Sequence, residues 1–160
     1  MSERNNKQAP IKIEDKFSEV LCGDSLKNAL DFAAFLHANT MQYDGMQVTY
    51  DDKCVCYIHI DGAEQMPGPW TVWPEGDYCE ECEAVPMDEH MKEIAWKNID
   101  ICANCGGCKN PGGTHKKIFG KEFDNVCITA MRFNNPDAEA IECAKKMVEI
   151  RKKEIQNNSL

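Results

Sequence analysis

The chain has 160 residues, 42% hydrophobic and 28% charged, a balance that supports one globular domain and excludes a disordered chain. A formal net charge of -9 repels phosphate backbones and argues against nucleic acid as a partner. The N-terminal stretch MSERNNKQAPIKIEDKF lacks the apolar segment of a signal peptide, and no stretch approaches the ~18 apolar residues of a membrane span. The expected compartment is therefore the cytoplasm.

Residues 1–20 are polar and weakly patterned, and are expected to form a flexible arm. Residues 21–157 are expected to form a single α+β domain, its zinc-binding half covering about 100–130. Asp24 and Ser25 are good helix caps, and Leu26, Ala29, Leu30, Ala33 and Leu36 follow at helical spacing, predicting a helix over 25–39. Met46, Val48 and Tyr50 alternate with polar residues; Asp51-Asp52-Lys53 reads as a turn. CVCYIHI (54–60), ended by Asp61-Gly62, and the strand Trp70–Trp73 then complete an antiparallel meander.

The acidic stretch GDYCEECEAVP reads as loop. A second helix is expected to start near Pro86–Asp88, with Met87, Met91, Ile94 and Ala95 on its apolar face. CANCGGCKNPGGTH (102–115) is too rich in glycine, cysteine and proline for regular structure. IFGKEF and VCITAMRF read as two strand-like pieces forming a short hairpin. Asn135-Pro136-Asp137 marks the start of a long C-terminal helix over about 136–155, with Asn135 as cap. The basic runs Lys116-Lys117 and Arg151-Lys152-Lys153 read as solvated faces.

The ten cysteines are the chief anomaly. In a reducing compartment, clustered cysteines point to metal or redox chemistry rather than disulfides. Cys102, Cys105 and Cys108 form CxxCxxC with Gly106 and Gly107 between them. That spacing lets several sulfurs turn toward one ion, and the glycines let backbone N–H groups approach the thiolates. A structural zinc site needs a fourth ligand, and Cys127, on a strand past the loop, is the first choice. His115 is the substitute. A rival set pairs CEEC, Cys79 and Cys82, with Cys102 and Cys105 across nineteen residues, another zinc spacing. Three glutamates beside that pair oppose thiolate formation. Cys54, Cys56 and Cys143 read as core packing, and Cys22 as a lone thiol.

The segments KEIAWKNIDICANCGGC, KKIFGKEFDNVCITAMRF and NPDAEAIECAKKMVEIRK, with GPWTVWP upstream, resemble a group of uncharacterised bacterial cysteine-rich small proteins. The resemblance runs from the first helix onward. It implies a shared cysteine set at Cys102, Cys105, Cys108 and Cys127, gives the CEEC pair no counterpart, and carries no activity.

The function expected is that of a cytosolic binding or regulatory module with a structural zinc site of four cysteines. The alternative is an iron–sulfur or thiol redox protein, an electron carrier or sensor. The bacterial ferredoxin run is broken after Cys108 by Lys-Asn-Pro-Gly-Gly-Thr-His. An enzyme is disfavoured: HExxH, the deaminase signature, GxSxG, a P-loop and GxGxxG are all absent, and His37, His59, His90 and His115 are dispersed. Trp70, Trp73 and Trp96 read first as core and second as walls of a small-molecule pocket. The partner expected is a small molecule or a protein, with no membrane.

Overall fold

The structure, a computed structural model, describes residues 12–60, 68–76, 86–108 and 111–159. Helices α1 (Ile13–Val20) and α2 (Gly23–Ala38) lead into strands β1 (Gln42–Asp44), β2 (Gln47–Tyr50), β3 (Lys53–Ile60) and β4 (Trp70–Pro74). Helix α3 (Glu89–Lys97) is followed by β5 (Ile99–Ile101), β6 (Thr114–Ile118), β7 (Lys121–Met131) and β8 (Phe133–Asn134). The long C-terminal helix α4 (Ala138–Asn158) comes last. The fold is α+β, and among the described residues the strands form two antiparallel sheets.

The loose arm expected through residue 20 is helical from Ile13. Ile13 and Phe17 stand four residues apart on one face of α1, and both are buried. Eight residues make a marginal helix in isolation, so tertiary packing holds this one. Phe17 meets Trp70 edge-on, ring centroids 5.1 Å apart at 71°. Helix α2 begins earlier than Asp24 and Ser25 suggested: Cys22 occupies its cap position and makes no side-chain cap bond. The Ser25 hydroxyl instead donates to Asn135 Oδ1 at 2.8 Å.

The larger sheet has the order β1-β2-β3-β4-β8. Its first connections are tight. Tyr50 pairs with Lys53, leaving Asp51 and Asp52 alone in the turn at φ 51° and 60°, a hairpin geometry that matches strand twist. Met46 lies in the preceding turn, outside the strand its alternation suggested. β4 is buried along its whole length, as a strand covered on both faces must be. Residues 61–62, where the third strand was expected to end, lie outside the described residues, as does the acidic loop with Cys79 and Cys82.

The smaller sheet has the order β5-β7-β6. The two strand-like pieces expected past the loop are organised differently: KEFDNVCITAM is one strand. Phe119 and Gly120 form the turn before it, both at positive φ, closed by the Ile118–Lys121 pair. Irregular positions at Asn125 (φ 58°) and Ala130 (φ 59°) break the alternation of β7 without ending it, because β5 and β6 pair with it from both sides.

The C-terminal helix is capped by Asp137, not by Asn135: the Asp137 carboxylate accepts from the Ala140 N–H at 2.8 Å. Asp88 caps α3 in the same way, accepting from Met91 N–H at 2.7 Å. Ile141, Ala144, Met147, Val148 and Ile155 of α4 are buried in one core cluster with Phe32, Val55, Trp70 and Phe133. Large apolar side chains such as these each contribute about 1.5–3 kcal/mol on leaving water. Among the described residues, no helix is long and apolar enough to cross a membrane.

Candidate functional site

Strand β5 ends at Ile101, and the cysteine loop leaves from it beside β7. Cys102 stays tied to that strand, its N–H donating to Asn125 O at 2.7 Å. Cys127 follows two residues later on β7, so sheet pairing brings the first and fourth cysteines to neighbouring strands. The loop then turns through Asn104 and Gly106, at φ 53° and 78°. Asn104 organises this turn twice. Its N–H donates to Cys102 Sγ at 3.4 Å, and its side-chain Oδ1 accepts from Gly112 N–H at 2.8 Å. On β7, the Thr129 hydroxyl donates to Cys127 Sγ at 3.6 Å.

Gly113 closes the loop where it rejoins β6. A Cβ at this position, φ 70°, would stand 2.5 Å from the carbonyl carbon of Asn125. Only glycine lets the returning chain lie this close to β7. Gly107 is different: a Cβ there would meet Cys105 Sγ at 3.5 Å, an ordinary contact.

Cys102, Cys105, Cys108 and Cys127 all line one cavity of about 570 Å³. Cys102, Cys108 and Cys127 also border a smaller one of about 220 Å³, which places these thiols between the two. Cys105 is exposed; the other three are half-buried. Among the described residues, no three His, Cys, Asp or Glu side chains are grouped so as to hold a metal ion. The four thiols thus share a cavity without converging on one point. The donor chemistry suits a soft or borderline metal: four sulfurs, with a backbone N–H already directed at one of them.

His115, the substitute ligand, is engaged elsewhere. It lies on β6 with Nδ1 2.6 Å from Asp124 Oδ1 and Nε2 3.7 Å from Glu122 Oε1. The hydrogen bond to Asp124 raises its pKa above the ordinary 6.5. Cys79 and Cys82 lie outside the described residues.

Of the three cysteines expected in the core, Cys56 and Cys143 are buried there, while Cys54 is only half-buried. Cys56 is fully buried, and burial pushes its thiol well above the usual range, with Cys54 adding to the effect. Burial likewise pushes Cys143 up to about 12 and raises Cys54. Cys56 and Cys143, shut away from solvent, have the character of inert core thiols. Cys22 is exposed before α2.

No family model matches the chain, and neither a curated protein nor a solved structure matches it.

The lining of the larger cavity also holds Tyr57 of β3, Trp73 of β4, Asp100 of β5 and Arg132, which follows β7; of these, Trp73 alone was named from the sequence as a pocket wall. Arg132 holds its guanidinium over the Trp73 ring, Cζ 5.1 Å from the centroid, with Nη2 3.1 Å from Asp100 Oδ2. Trp73 is thus both core and cavity wall. Trp70 is core alone, fully buried, and Trp96 braces α3 on β6 by donating from Nε1 to Ile118 O at 2.8 Å. The cavity-wall residues come from separate parts of the chain, and no short motif joins them.

Proposed function

We propose that the chain is a cytosolic binding or regulatory module whose cysteine loop takes up zinc through Cys102, Cys105, Cys108 and Cys127. The observation that carries this reading is the shared cavity: three thiols of one loop and a fourth from β7 line the same space. The Asn104 N–H directed at Cys102 Sγ supports it, since it holds the first sulfur in place at the mouth of the loop. Zinc supplies no redox chemistry; with four thiolates its contribution is to folding. Drawing the four sulfurs together would fix the exposed Cys105 end of the loop against β7, and the ligand thiols would release their protons.

The cavity beside the thiols supports the binding half of the reading. An iron–sulfur cluster is the alternative occupant of the same thiols.

The test is Cys105→Ser. Cys105 is exposed, so its packing contribution is small, and serine removes only a ligand. The variant is expected to lose bound zinc and to melt several degrees lower, about 2–4 °C for each kcal/mol in a domain near this size. Full zinc content with an unchanged melting temperature would overturn the assignment.

A further inference from the structure

The larger cavity is bordered by both sheets: Tyr57 and Trp73 come from β3 and β4, Ile101 and Ile128 from β5 and β7. At about 570 Å³ it is far roomier than a metal ion needs, and it falls inside the ~300–1,000 Å³ range of small-molecule sites. Among the described residues, four large apolar side chains are exposed. Three of them, Met46 at 42%, Ile101 at 50% and Ile128 at 62%, line this one cavity. Apolar side chains exposed singly are ordinary on a protein surface, whereas three gathered around one hollow mark a place where something apolar sits.

The lining decides the ligand chemistry. Its two charges are paired with each other, Arg132 Nη2 lying 3.1 Å from Asp100 Oδ2, and the guanidinium also covers the Trp73 ring. Arg132 Nε and Asp100 Oδ2 are shut away from solvent, so neither is offered to a ligand. Two further polar side chains of the lining turn to the protein: Asn104 Oδ1 accepts from Gly112 N–H, and the Thr129 hydroxyl donates to Cys127 Sγ. The chain's net charge of -9 disfavours an added anion. What the cavity presents is therefore apolar and soft. Beside the isoleucines stand the rings of Tyr57 and Trp73, the Met46 thioether and the thiols, which without metal behave as small hydrophobes. A thioether sulfur meets aromatic rings favourably, so an aromatic body suits this lining better than a saturated one.

We propose that this cavity binds an uncharged, largely hydrocarbon aromatic molecule, held by apolar contact and without a polar anchor. The proposal rests on the reading of the chain as a binding module, and not on the metal.

The experiment is fluorescence titration of the full chain with N-phenyl-1-naphthylamine, an uncharged aromatic probe, the metal content of the same preparation being measured. Saturable one-site binding is expected. It should weaken about tenfold or more for 1-anilinonaphthalene-8-sulfonate, which adds a charge to the same body. Naphthalene is expected to displace the probe more strongly than decalin, its saturated counterpart. Ile128→Asp, at an exposed position in the lining, is expected to weaken probe binding about tenfold. Met46→Asp serves where Ile128→Asp does not fold. Val20→Asp is the control: Val20 is equally apolar and 41% exposed but lines a different cavity, and its variant should bind the probe unchanged. No saturation with folded protein, a sulfonate bound as tightly as the neutral probe, decalin displacing as well as naphthalene, or equal losses in the lining and control variants would overturn the proposal. The expected pattern in metal-free protein leaves it standing and removes the zinc reading alone. Stoichiometric zinc with no probe binding does the reverse.

Discussion

The backbone N–H of Asn104 donates to Cys102 Sγ across 3.4 Å, and Asn104 holds this position at φ 53°, in the left-handed region that asparagine tolerates better than most residues. Its side chain accepts from Gly112 N–H at the far side of the loop. One residue therefore orients the first thiol and braces the loop that carries the second and third. Asn104→Ala removes the brace and strains the turn. Zinc affinity is expected to fall about 10–100-fold, as for other groups that orient metal ligands. Competition with a chromophoric chelator measures it, and unchanged affinity would remove Asn104 from the site.

The cysteines are expected to separate by reactivity. Cys56 and Cys143 are buried, with thiols pushed up by desolvation, and should resist iodoacetamide in the native protein. Cys22 is exposed and should react at once. Cys102, Cys105, Cys108 and Cys127 should be protected in zinc-loaded protein and become labelled together once a chelator is added. Peptide mass spectrometry reads the pattern. Rapid labelling of Cys105 in zinc-loaded protein would contradict its place as a ligand.

The two loop glycines make a paired test. Gly113→Ala puts a Cβ 2.5 Å from the Asn125 backbone at a positive φ, and is expected to cost more than about 1 kcal/mol. Gly107→Ala meets only Cys105 Sγ at 3.5 Å and should cost less. Urea unfolding of both variants checks the order, and an equal loss would contradict the close approach of the loop to β7.

Much of this fold was legible in the sequence. Helical spacing marked α2 and α4, and alternation with turn residues marked β2 and β3. The hidden parts depended on distant partners. α1 shows little beyond Ile13 and Phe17, and its stability comes from packing against Trp70, far along the chain. β7 was divided between two pieces, IFGKEF and VCITAMRF, at Asp124-Asn125, where the backbone turns to a φ of 58°, while pairing on both edges keeps it one strand. Asn135 looked like a cap, but Ser25 engages it, and Asp137 caps the helix instead. In the candidate site, spacing singled out the cysteines because ligands on one loop must be close in sequence. Tyr57, Trp73, Asp100 and Arg132 meet only through strand order, which no local pattern encodes.

His115 tests the placement of the β6–β7 hairpin. Its pKa is raised by the hydrogen bond to Asp124, so its ion pair is fully present below the unfolded pKa and is lost as pH rises through the folded one. A proton NMR titration is expected to show His115 inflecting above the ordinary 6.5, and Asp124→Asn should move it back down. No movement in that variant would contradict the pairing.

The central claim is the identity of what the four thiols hold, and elemental analysis of anaerobically purified protein, with its optical spectrum, tests it most directly. About one zinc per chain and no visible absorption is the predicted result. Iron with sulfide in comparable amount, or no metal at all, would contradict it.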